Sequence, residues 1–250
     1  MSAPQDSFQR LFADVKEDPN VVGLILQGSR GKGFENEFSD YDALLIVADD
    51  ASDEYKKRYD VPISGLDLPV CSLSEFRAPT WWGSLGEPED RYDYAHCNIL
   101  VDRTGEVRKI VEQRGQIPRE QQYDFVYRSL DGYVNAVFRS VKAWRNNNPE
   151  GAHFEAASSI PYFLDALFGV HGRPRPYYGY IRKEFEKYPI EMPWEPDDIV
   201  HTLLQILQTA DLKVQQKLLK ESEAFFREKG YEKMWDAWEG KDKWAMALQI

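Results

Sequence analysis

One segment decides the fold: Gly28-Ser29-Arg30-Gly31-Lys32-Gly33-Phe34-Glu35-Asn36-Glu37-Phe38-Ser39-Asp40-Tyr41-Asp42. An apolar run at residues 21–26 precedes it, and a second apolar run at residues 43–48 follows it. The first run predicts a buried strand, and the second predicts a strand that carries Asp40 and Asp42 at its entrance. Because side chains at i and i+2 of a strand point the same way, the two carboxylates are expected to share one face.

Two like charges this close repel each other, so a compensating group is expected beside them. Mg²⁺ suits that role, since it is typically held by one or two carboxylates together with substrate phosphates. The turn at Gly28 and Ser29 would supply the phosphate half of such a site with backbone amides and a hydroxyl. The segment therefore predicts a metal–nucleotide site. The alternative is a glycine-rich turn before an acidic strand end that binds nothing.

The pattern of Gly28-Ser29, ten residues (30–39) and then Asp-x-Asp resembles the signature of the DNA polymerase β-like nucleotidyltransferase superfamily. It is most similar to small antibiotic-modifying and minimal bacterial members, such as the aminoglycoside and lincosamide nucleotidyltransferases. The signature covers the opening third of the chain. The resemblance implies a nucleoside triphosphate donor, with ATP the first choice, two Mg²⁺ ions, and transfer of a nucleoside monophosphate to a hydroxyl of a small molecule.

A third carboxylate is expected from the next strand. Residues 61–73 alternate and predict that strand, with Asp67 between Leu66 and Leu68. The resemblance implies that a carboxylate at this place completes the metal site with Asp40 and Asp42, and Asp67 matches best. Asp60 and Glu75 remain alternatives, and Asp67 on an edge strand could also simply face solvent.

The resemblance also implies how the nucleotide is held. The Gly28 turn and the Ser29 hydroxyl would bind the β- and γ-phosphates, with Arg30 or Lys32 adding positive charge.

The loop that contains Trp81 and Trp82 has two interpretations. The tryptophans cover the cleft and stack on a ring of the substrate, or they pack the loop against the core. The remaining pattern of this domain predicts an exposed acidic loop at residues 49–53, a strand at 96–101 and a return strand at 106–112.

The sequence pattern changes at Pro118, because the pattern beyond it predicts helices almost throughout. We therefore predict two domains: residues 1–117, a small mixed β-sheet with flanking helices, and residues 118–250, a bundle of four to five helices. Apolar stripes predict helices at residues 120–145, 152–169, 181–188 and 197–229. The predicted fold class is α+β, a nucleotidyltransferase domain followed by a helical bundle.

Two parts of the helical domain offer further candidate site residues. A polar stripe on its first helix has two interpretations, a solvated face or a wall of the cleft with Asp131 as the general base and Arg139 and Lys142 near the triphosphate. The stiff segment at residues 171–178 has two interpretations. It binds the acceptor through its arginines and tyrosines, or it is a connector between two helices whose arginines pair with acidic side chains on the surface. Its candidate acceptor-side residues are Arg173, Arg175 and Tyr177.

Composition narrows the choice of partner. The 250 residues are 42% hydrophobic, which is enough for a substantial core, and the net charge is −11. That charge argues against a nucleic-acid substrate, which needs clustered Lys and Arg. The chain has two cysteines without metal-ligand spacing, and its N-terminus has no apolar signal segment. These features and the absence of a long apolar run predict a cytoplasmic protein without membrane spans. We expect either a monomer or a homodimer. A protein acceptor, or nucleotide binding without turnover, remains an alternative function.

Overall fold

A computed structural model of the chain describes residues 3–60, 62–78, 87–238 and 244. The chain divides into two units, Met1–Ile117 and Pro118–Ile250. In the described residues the first unit contains all of the strands and the second is helical. The predicted α+β class is therefore confirmed. The two tryptophans Trp81 and Trp82 lie outside the described residues.

The first unit has six helices and five strands in its described part. In chain order they are α1 (Ala3–Lys16), β1 (Val21–Leu26), α2 (Gly28–Lys32), β2 (Tyr41–Val47), α3 (Ser52–Arg58), β3 (Leu66–Asp67), β4 (Val70–Ser72), α4 (Leu73–Arg77), α5 (Glu87–Tyr92), β5 (Asn98–Asp102) and α6 (Glu106–Arg114). A short 3-10 turn, Asp49–Ala51, precedes α3.

The strands form one mixed sheet in the order β3-β2-β1-β5, with β4 also paired to β2. β1 runs antiparallel to both β2 and β5, so Leu26 at its end lies between Ala43 and Asn98. β3 and β4 follow one another along the other edge of β2 and run parallel to it. This order brings the turn after β1, the entrance of β2 and the end of β3 to one region of the sheet.

Each face of the sheet is covered by helices, and the alternation of β2 shows which side chains lie on which face. One face packs against α1 and α3, with Tyr41, Ala43, Leu45 and Val47 of β2 and Leu66 of β3 in that core. The opposite face packs against α4 and α6, with Leu44 and Ile46 of β2 beside Phe76, Val107 and Val111. Because alternate residues point to opposite faces, Asp42 and Asp67 belong to the second face.

Two strand predictions in this unit were wrong in detail. In the range predicted as one strand, residue 61 lies outside the described residues, and residues 62–73 contain two short strands, because Pro69 has no N–H to donate and interrupts the pairing between β3 and β4. Residues 106–112 form helix α6 instead of a return strand. Val107, Ile110 and Val111 follow helical spacing and pack on the sheet, and Gly23 opposite them leaves room, since an added Cβ would lie 2.7 Å from Val107.

The acidic segment at residues 49–53 was also mispredicted as a plain loop. It forms the 3-10 turn and the start of α3, where Asp53 and Glu54 occupy the first helical turn. Acidic side chains are favourable there because the amino end of a helix carries partial positive charge. Ala51 and Tyr55 of this segment are buried in the core under the sheet.

The second unit consists, in its described part, of six helices. They are α7 (Arg119–Arg145), α8 (Pro149–Gly169), α9 (Ile181–Lys187), α10 (Pro196–Thr209), α11 (Leu212–Glu228) and α12 (Glu232–Ala237). The single helix predicted over residues 197–229 is two helices, because Ala210 adopts a left-handed φ of +48° and Asp211 caps α11 by accepting a hydrogen bond from the Val214 amide. Among the described helices of either unit, none has both the length and the apolar character of a membrane span.

Candidate active site

The turn after β1 lies directly against the carboxylate of Asp42. The Gln27 amide donates to the Asp42 carbonyl at 2.7 Å, which ties the turn to β2. Gly28 has a left-handed φ of +54°, and a Cβ placed there would lie 1.8 Å from Oδ2 of Asp42. Glycine is therefore required at position 28 by its backbone conformation and by this close approach.

Asp42 and Asp67 are neighbours across the sheet. They are paired in the parallel register of β2 and β3, and both belong to the face opposite Tyr41 and Leu66. Asp40 lies two residues before Asp42 and is exposed. Within the described part of the chain, the carboxylates of all three make no hydrogen bond or ion pair. The structure thus places Asp42 beside Asp67 across the sheet, with Asp40 two residues before Asp42 along the chain.

The two alternative third carboxylates lie in different surroundings. Glu75 caps α4 in a capping box with Ser72 and forms an ion pair with Lys56 at 2.6 Å, so its oxygens already have partners. Asp60 is exposed and lies after α3, outside the strands. Neither is paired in register with Asp42, whereas Asp67 is.

The crowding of negative charge acts on Asp42 in particular. Partial burial raises the pKa of the Asp42 carboxyl, and the neighbouring charges of Asp40, Asp67 and Asp93 raise that pKa further. The buried ammonium of Lys32 acts in the opposite direction. Asp42 is therefore a partly buried carboxylate whose negative charge is opposed by its surroundings, and a cation beside it would offset that charge.

This pattern predicts how Asp42→Asn changes stability with pH. A carboxyl whose pKa is raised on folding binds its proton more tightly in the folded protein, so its ionised form destabilises the fold above that pKa. We expect Asp42→Asn to raise the free energy of unfolding at neutral pH. The difference should shrink as the pH falls through the raised pKa toward the ordinary value of 3.8. Urea unfolding at several pH values without divalent cations measures it.

The matched control is Asp50→Asn, at an exposed aspartate beyond the opposite end of β2. We expect this substitution to leave the unfolding free energy unchanged across the same pH range. A variant Asp42→Asn that is less stable than the parent at neutral pH would contradict the prediction, because it would mean that the ionised carboxylate has a stabilising partner.

Lys32, which was predicted to add positive charge beside the phosphates, is buried. Its side chain is 1% exposed, and its Nζ donates to the carbonyls of Ala95 at 2.9 Å and Asp93 at 3.3 Å. The ammonium also lies 4.7 Å from the centre of the Tyr92 ring. Lys32 thus holds the segment that carries Asp93 beneath the turn, and contributes positive charge from inside the protein.

Asp93 is the residue near the site that sequence reasoning missed. Its carbonyl accepts from Lys32 and, at 3.5 Å, from Nε2 of Gln27, and its charge acts on Asp42. The available signal was an acidic residue shortly before the strand at residues 96–101. An acidic residue there indicates proximity to Asp42 only when β5 is known to pair with β1, because this pairing places the start of β5 beside the end of β1.

Ser29 and Arg30 occupy the turn itself. Ser29 is buried at 8% exposure in the first turn of α2, where backbone amides have no partner within the helix. The guanidinium of Arg30 bonds the carbonyls of Ser39 and Asp40. Arg30 therefore contacts the strand entrance, a placement that the predicted phosphate contact did not foresee.

The residues present fit a divalent cation. Carboxylates are acceptors only, and hard cations prefer such oxygen ligands. In the described ranges no three His, Cys, Asp or Glu side chains are already gathered so that they alone could hold a metal ion. A Mg²⁺ site does not require such a set, because substrate phosphates and water usually complete it. Asp40, Asp42 and Asp67 are the residues that would hold the metal.

Five of the six candidate residues of the helical unit have partners within that unit. Arg139 forms an ion pair with Glu155 at 2.8 Å, and Asp131 accepts a hydrogen bond from Nε1 of Trp238. Lys142 is exposed. Arg173 pairs with the buried Glu184, Arg175 pairs with the buried Asp165 at 2.8 Å, and the Tyr177 ring lies against Tyr180. Arg139, Arg173 and Arg175 therefore form ion pairs within the helical unit.

The buried pair gives a stability prediction. Arg175→Met leaves the Asp165 carboxylate inside the bundle without its guanidinium, so we expect the free energy of unfolding to fall by about 3–5 kcal/mol. The matched control is Arg139→Met, which breaks an exposed pair and should cost less than about 1 kcal/mol. Urea unfolding followed by far-UV circular dichroism compares them. Equal, small losses would favour a ligand-binding role for Arg175.

Comparison with solved structures gives distant similarities. No protein-family profile and no curated protein matches the chain. A nucleotidyltransferase-like protein from Exiguobacterium sibiricum 255-15 is similar over 90% of this chain and 80% of its own, at 12% identity and a TM-score of 0.39. A toxin–antitoxin complex with AMP-PNP and a mutant MntA–HpeT toxin–antitoxin complex are similar over 44% of this chain and 82% of theirs, at 16% and 14% identity and TM-scores of 0.25. Similarities this distant do not assign the chain to a family.

Proposed function

We propose that this protein transfers a nucleoside monophosphate from a nucleoside triphosphate to a hydroxyl of a small molecule and releases pyrophosphate. The observation that supports this most directly is the contact between the Gly28 turn and the carboxylate of Asp42, with Asp67 in register beside it. A turn suited to phosphate would bring more negative charge against these carboxylates. Such a pairing is favourable only when a cation lies between them, which is the chemistry of a metal-bound triphosphate.

The proposed roles follow from where each residue lies. The amides of the turn and the Ser29 hydroxyl would bind the terminal phosphates. Asp40 and Asp42 would hold Mg²⁺, and Asp67 would help to hold the ion that serves the acceptor hydroxyl. Bound Mg²⁺ would lower the pKa of the acceptor hydroxyl and offset the charge of the leaving pyrophosphate. The acceptor oxygen forms the new bond to the α-phosphorus, the bond to the bridging oxygen of pyrophosphate breaks, and the acceptor proton leaves to a base.

The acceptor is proposed to be small because the protein is acidic. A net charge of −11 disfavours a nucleic-acid backbone, and it suits a neutral or cationic small molecule. Aminoglycosides and lincosamides carry hydroxyls and amines of this kind, so they are the first acceptors to test.

The test is a pyrophosphate-release screen that pairs each nucleoside triphosphate with aminoglycosides, lincosamides and unrelated hydroxyl metabolites, with and without Mg²⁺. We expect release only when Mg²⁺ and an accepted hydroxyl are both present, and a product whose mass is the acceptor plus a nucleoside monophosphate. Nucleotide binding without pyrophosphate release under every condition would contradict the proposal. A nucleotidyl mass shift on a protein side chain would replace the small acceptor by a protein.

A further inference from the structure

We propose that Arg30 is a positioning residue that fastens the entrance of β2 to the phosphate turn and so fixes the orientation of Asp40 and Asp42. This inference rests on the proposed function for its catalytic consequence. Its structural part, that the side chain of Arg30 orders residues 39–42, does not depend on that function.

Among the described residues, the side-chain hydrogen bonds of Arg30 are all with the segment that leads into the carboxylates. Its Nε donates to the carbonyl of Asp40 at 2.9 Å and to that of Ser39 at 3.2 Å. Its Nη2 donates to the Ser39 carbonyl at 2.8 Å. One edge of the guanidinium is thus occupied by two consecutive backbone carbonyls. That edge joins α2 to the residues immediately before β2.

The guanidinium is held in place by the ring beneath it. Its Cζ lies 4.2 Å from the centre of the Tyr41 ring. Tyr41 is 7% exposed and stacks on Phe8 of α1, with ring centres 4.3 Å apart. Its amide donates to the Gly65 carbonyl at 3.0 Å. Arg30 therefore lies between a core ring and the backbone of the strand entrance, and its position is set by both.

The position of Asp40 explains why such a fastening matters. Asp40 precedes the first residue of β2, so strand pairing does not fix its backbone. It also lies two residues from Asp42, and mutual repulsion favours separation of the two carboxylates. Hydrogen bonds from a charged guanidinium to the carbonyls of Ser39 and Asp40 oppose that separation.

A lysine at position 30 cannot make the same set of contacts. An ammonium is a point charge on a flexible stem, whereas the guanidinium fork presents several donors in one plane and stacks on an aromatic ring. Arg30→Lys therefore keeps the positive charge and removes the geometry. A phosphate ligand at this position would depend chiefly on the charge, so the lysine variant separates the two roles.

The chain provides a matched control in Arg103. Its guanidinium also joins backbone segments, since its Nε donates to the Val21 carbonyl at 2.7 Å and its Nη2 donates to the carbonyls of Lys16 and Asp18. The Val21 carbonyl lies at the start of β1, at the opposite end of that strand from the Gly28 turn, and the carbonyls of Lys16 and Asp18 precede β1 along the chain. Arg103→Lys therefore removes the same kind of bond away from the carboxylates.

The first measurement uses the free protein. Amide hydrogen exchange of peptides covering residues 38–44 should be faster in Arg30→Lys than in the parent and unchanged in Arg103→Lys. Titration with Mn²⁺ in the absence of nucleotide should show weaker binding only in Arg30→Lys. Arg30→Gln, which is shorter and uncharged, serves as the second variant if the lysine protein does not fold, and the same changes are expected.

The second measurement separates kcat from KM in the pyrophosphate assay. We expect Arg30→Lys to lower kcat about 10²-fold, the order of loss that follows a misplacement of about 1 Å in a reacting site. The KM for the nucleotide should stay within about 3-fold, as expected for a residue that makes no ground-state contact with substrate. The Mg²⁺ concentration for half-maximal rate should rise, and Arg103→Lys should retain the parent kcat.

Two results would overturn the inference. One is unchanged exchange and Mn²⁺ binding in both Arg30 variants. The other is a lysine variant with normal kcat together with a glutamine variant whose KM for nucleotide is strongly raised, because these would make Arg30 a phosphate ligand. If the parent protein transfers no nucleotide but the exchange and Mn²⁺ results are as expected, the positioning role stands and the proposed function fails.

Discussion

Asp42→Asn is expected to lower Mg²⁺-dependent pyrophosphate release by about 10³-fold or more. Asp42 is the carboxylate that contacts the Gly28 turn, pairs in register with Asp67 and has its pKa raised by its surroundings. The amide keeps the size of the side chain and removes its negative charge. The protein would therefore keep its fold and lose the charge that holds a divalent cation against the triphosphate.

The stability prediction makes this result interpretable. If Asp42→Asn is more stable than the parent at neutral pH and also nearly inactive, its loss of activity cannot come from unfolding. Asp67→Asn should lose activity similarly, and Asp50→Asn, at an exposed position beyond the other end of β2, should keep the parent rate. Pyrophosphate release by Asp42→Asn at the parent rate would remove the metal-site assignment.

The elements that sequence predicted best are those whose burial follows from their own composition. The run at Val21–Leu26 is apolar throughout and forms β1 with the same bounds, and the stripe that predicted a helix over residues 120–145 corresponds to α7 (Arg119–Arg145). In both cases the apolar side chains can be buried in only one way. Local pattern and tertiary packing therefore agree.

The errors occur where packing or a single backbone position overrides the pattern. The apolar residues Val107, Ile110 and Val111 fit a short strand or one face of a helix, and only the uncovered face of the sheet decides for the helix. The break at Ala210 depends on a left-handed φ in a residue that favours helices, followed by the cap at Asp211. Neither the covering layer nor that φ can be read from local periodicity.

In the candidate site, too, some features follow from local sequence and others depend on long-range packing. The contact between the Gly28 turn and Asp42 belongs to one continuous segment, so its spacing in sequence was sufficient to predict it. The environment of Lys32 and the proximity of Asp93 depend on β5 lying beside β1, which is a long-range pairing. Lys32 was predicted to add positive charge beside the phosphates, and nothing in the local sequence indicates that its side chain is buried.

Gly28→Ala is expected to lower turnover about 10²-fold, since the added Cβ would displace the carboxylate of Asp42 from its place beside the turn. The Cβ would lie 1.8 Å from Oδ2 of that carboxylate, a distance at which one of the two must move. The end of an aspartate side chain can rotate away more readily than the backbone can shift. The expected loss is therefore larger in activity than in stability.

Gly105→Ala is the control that separates this contact from backbone strain. Gly28 and Gly105 have left-handed φ values of +54° and +74°, so alanine should cost each of them about 1–2 kcal/mol of unfolding free energy. At Gly105 nothing lies within 4 Å of the added Cβ, so the strain there occurs alone. We expect urea unfolding to show comparable losses for the two variants, and the pyrophosphate assay to show full activity only for Gly105→Ala.

A double variant tests whether the difference arises from Asp42. When Asp42 is alanine, the oxygen that the new Cβ would meet is absent. Any extra unfolding cost of Gly28→Ala over Gly105→Ala should then largely disappear, which a double-mutant cycle measures directly. An extra cost that persists without the carboxylate would mean that the turn is constrained by its backbone alone. Equal activity of the two single glycine variants would show that the contact between the turn and Asp42 has no part in the reaction.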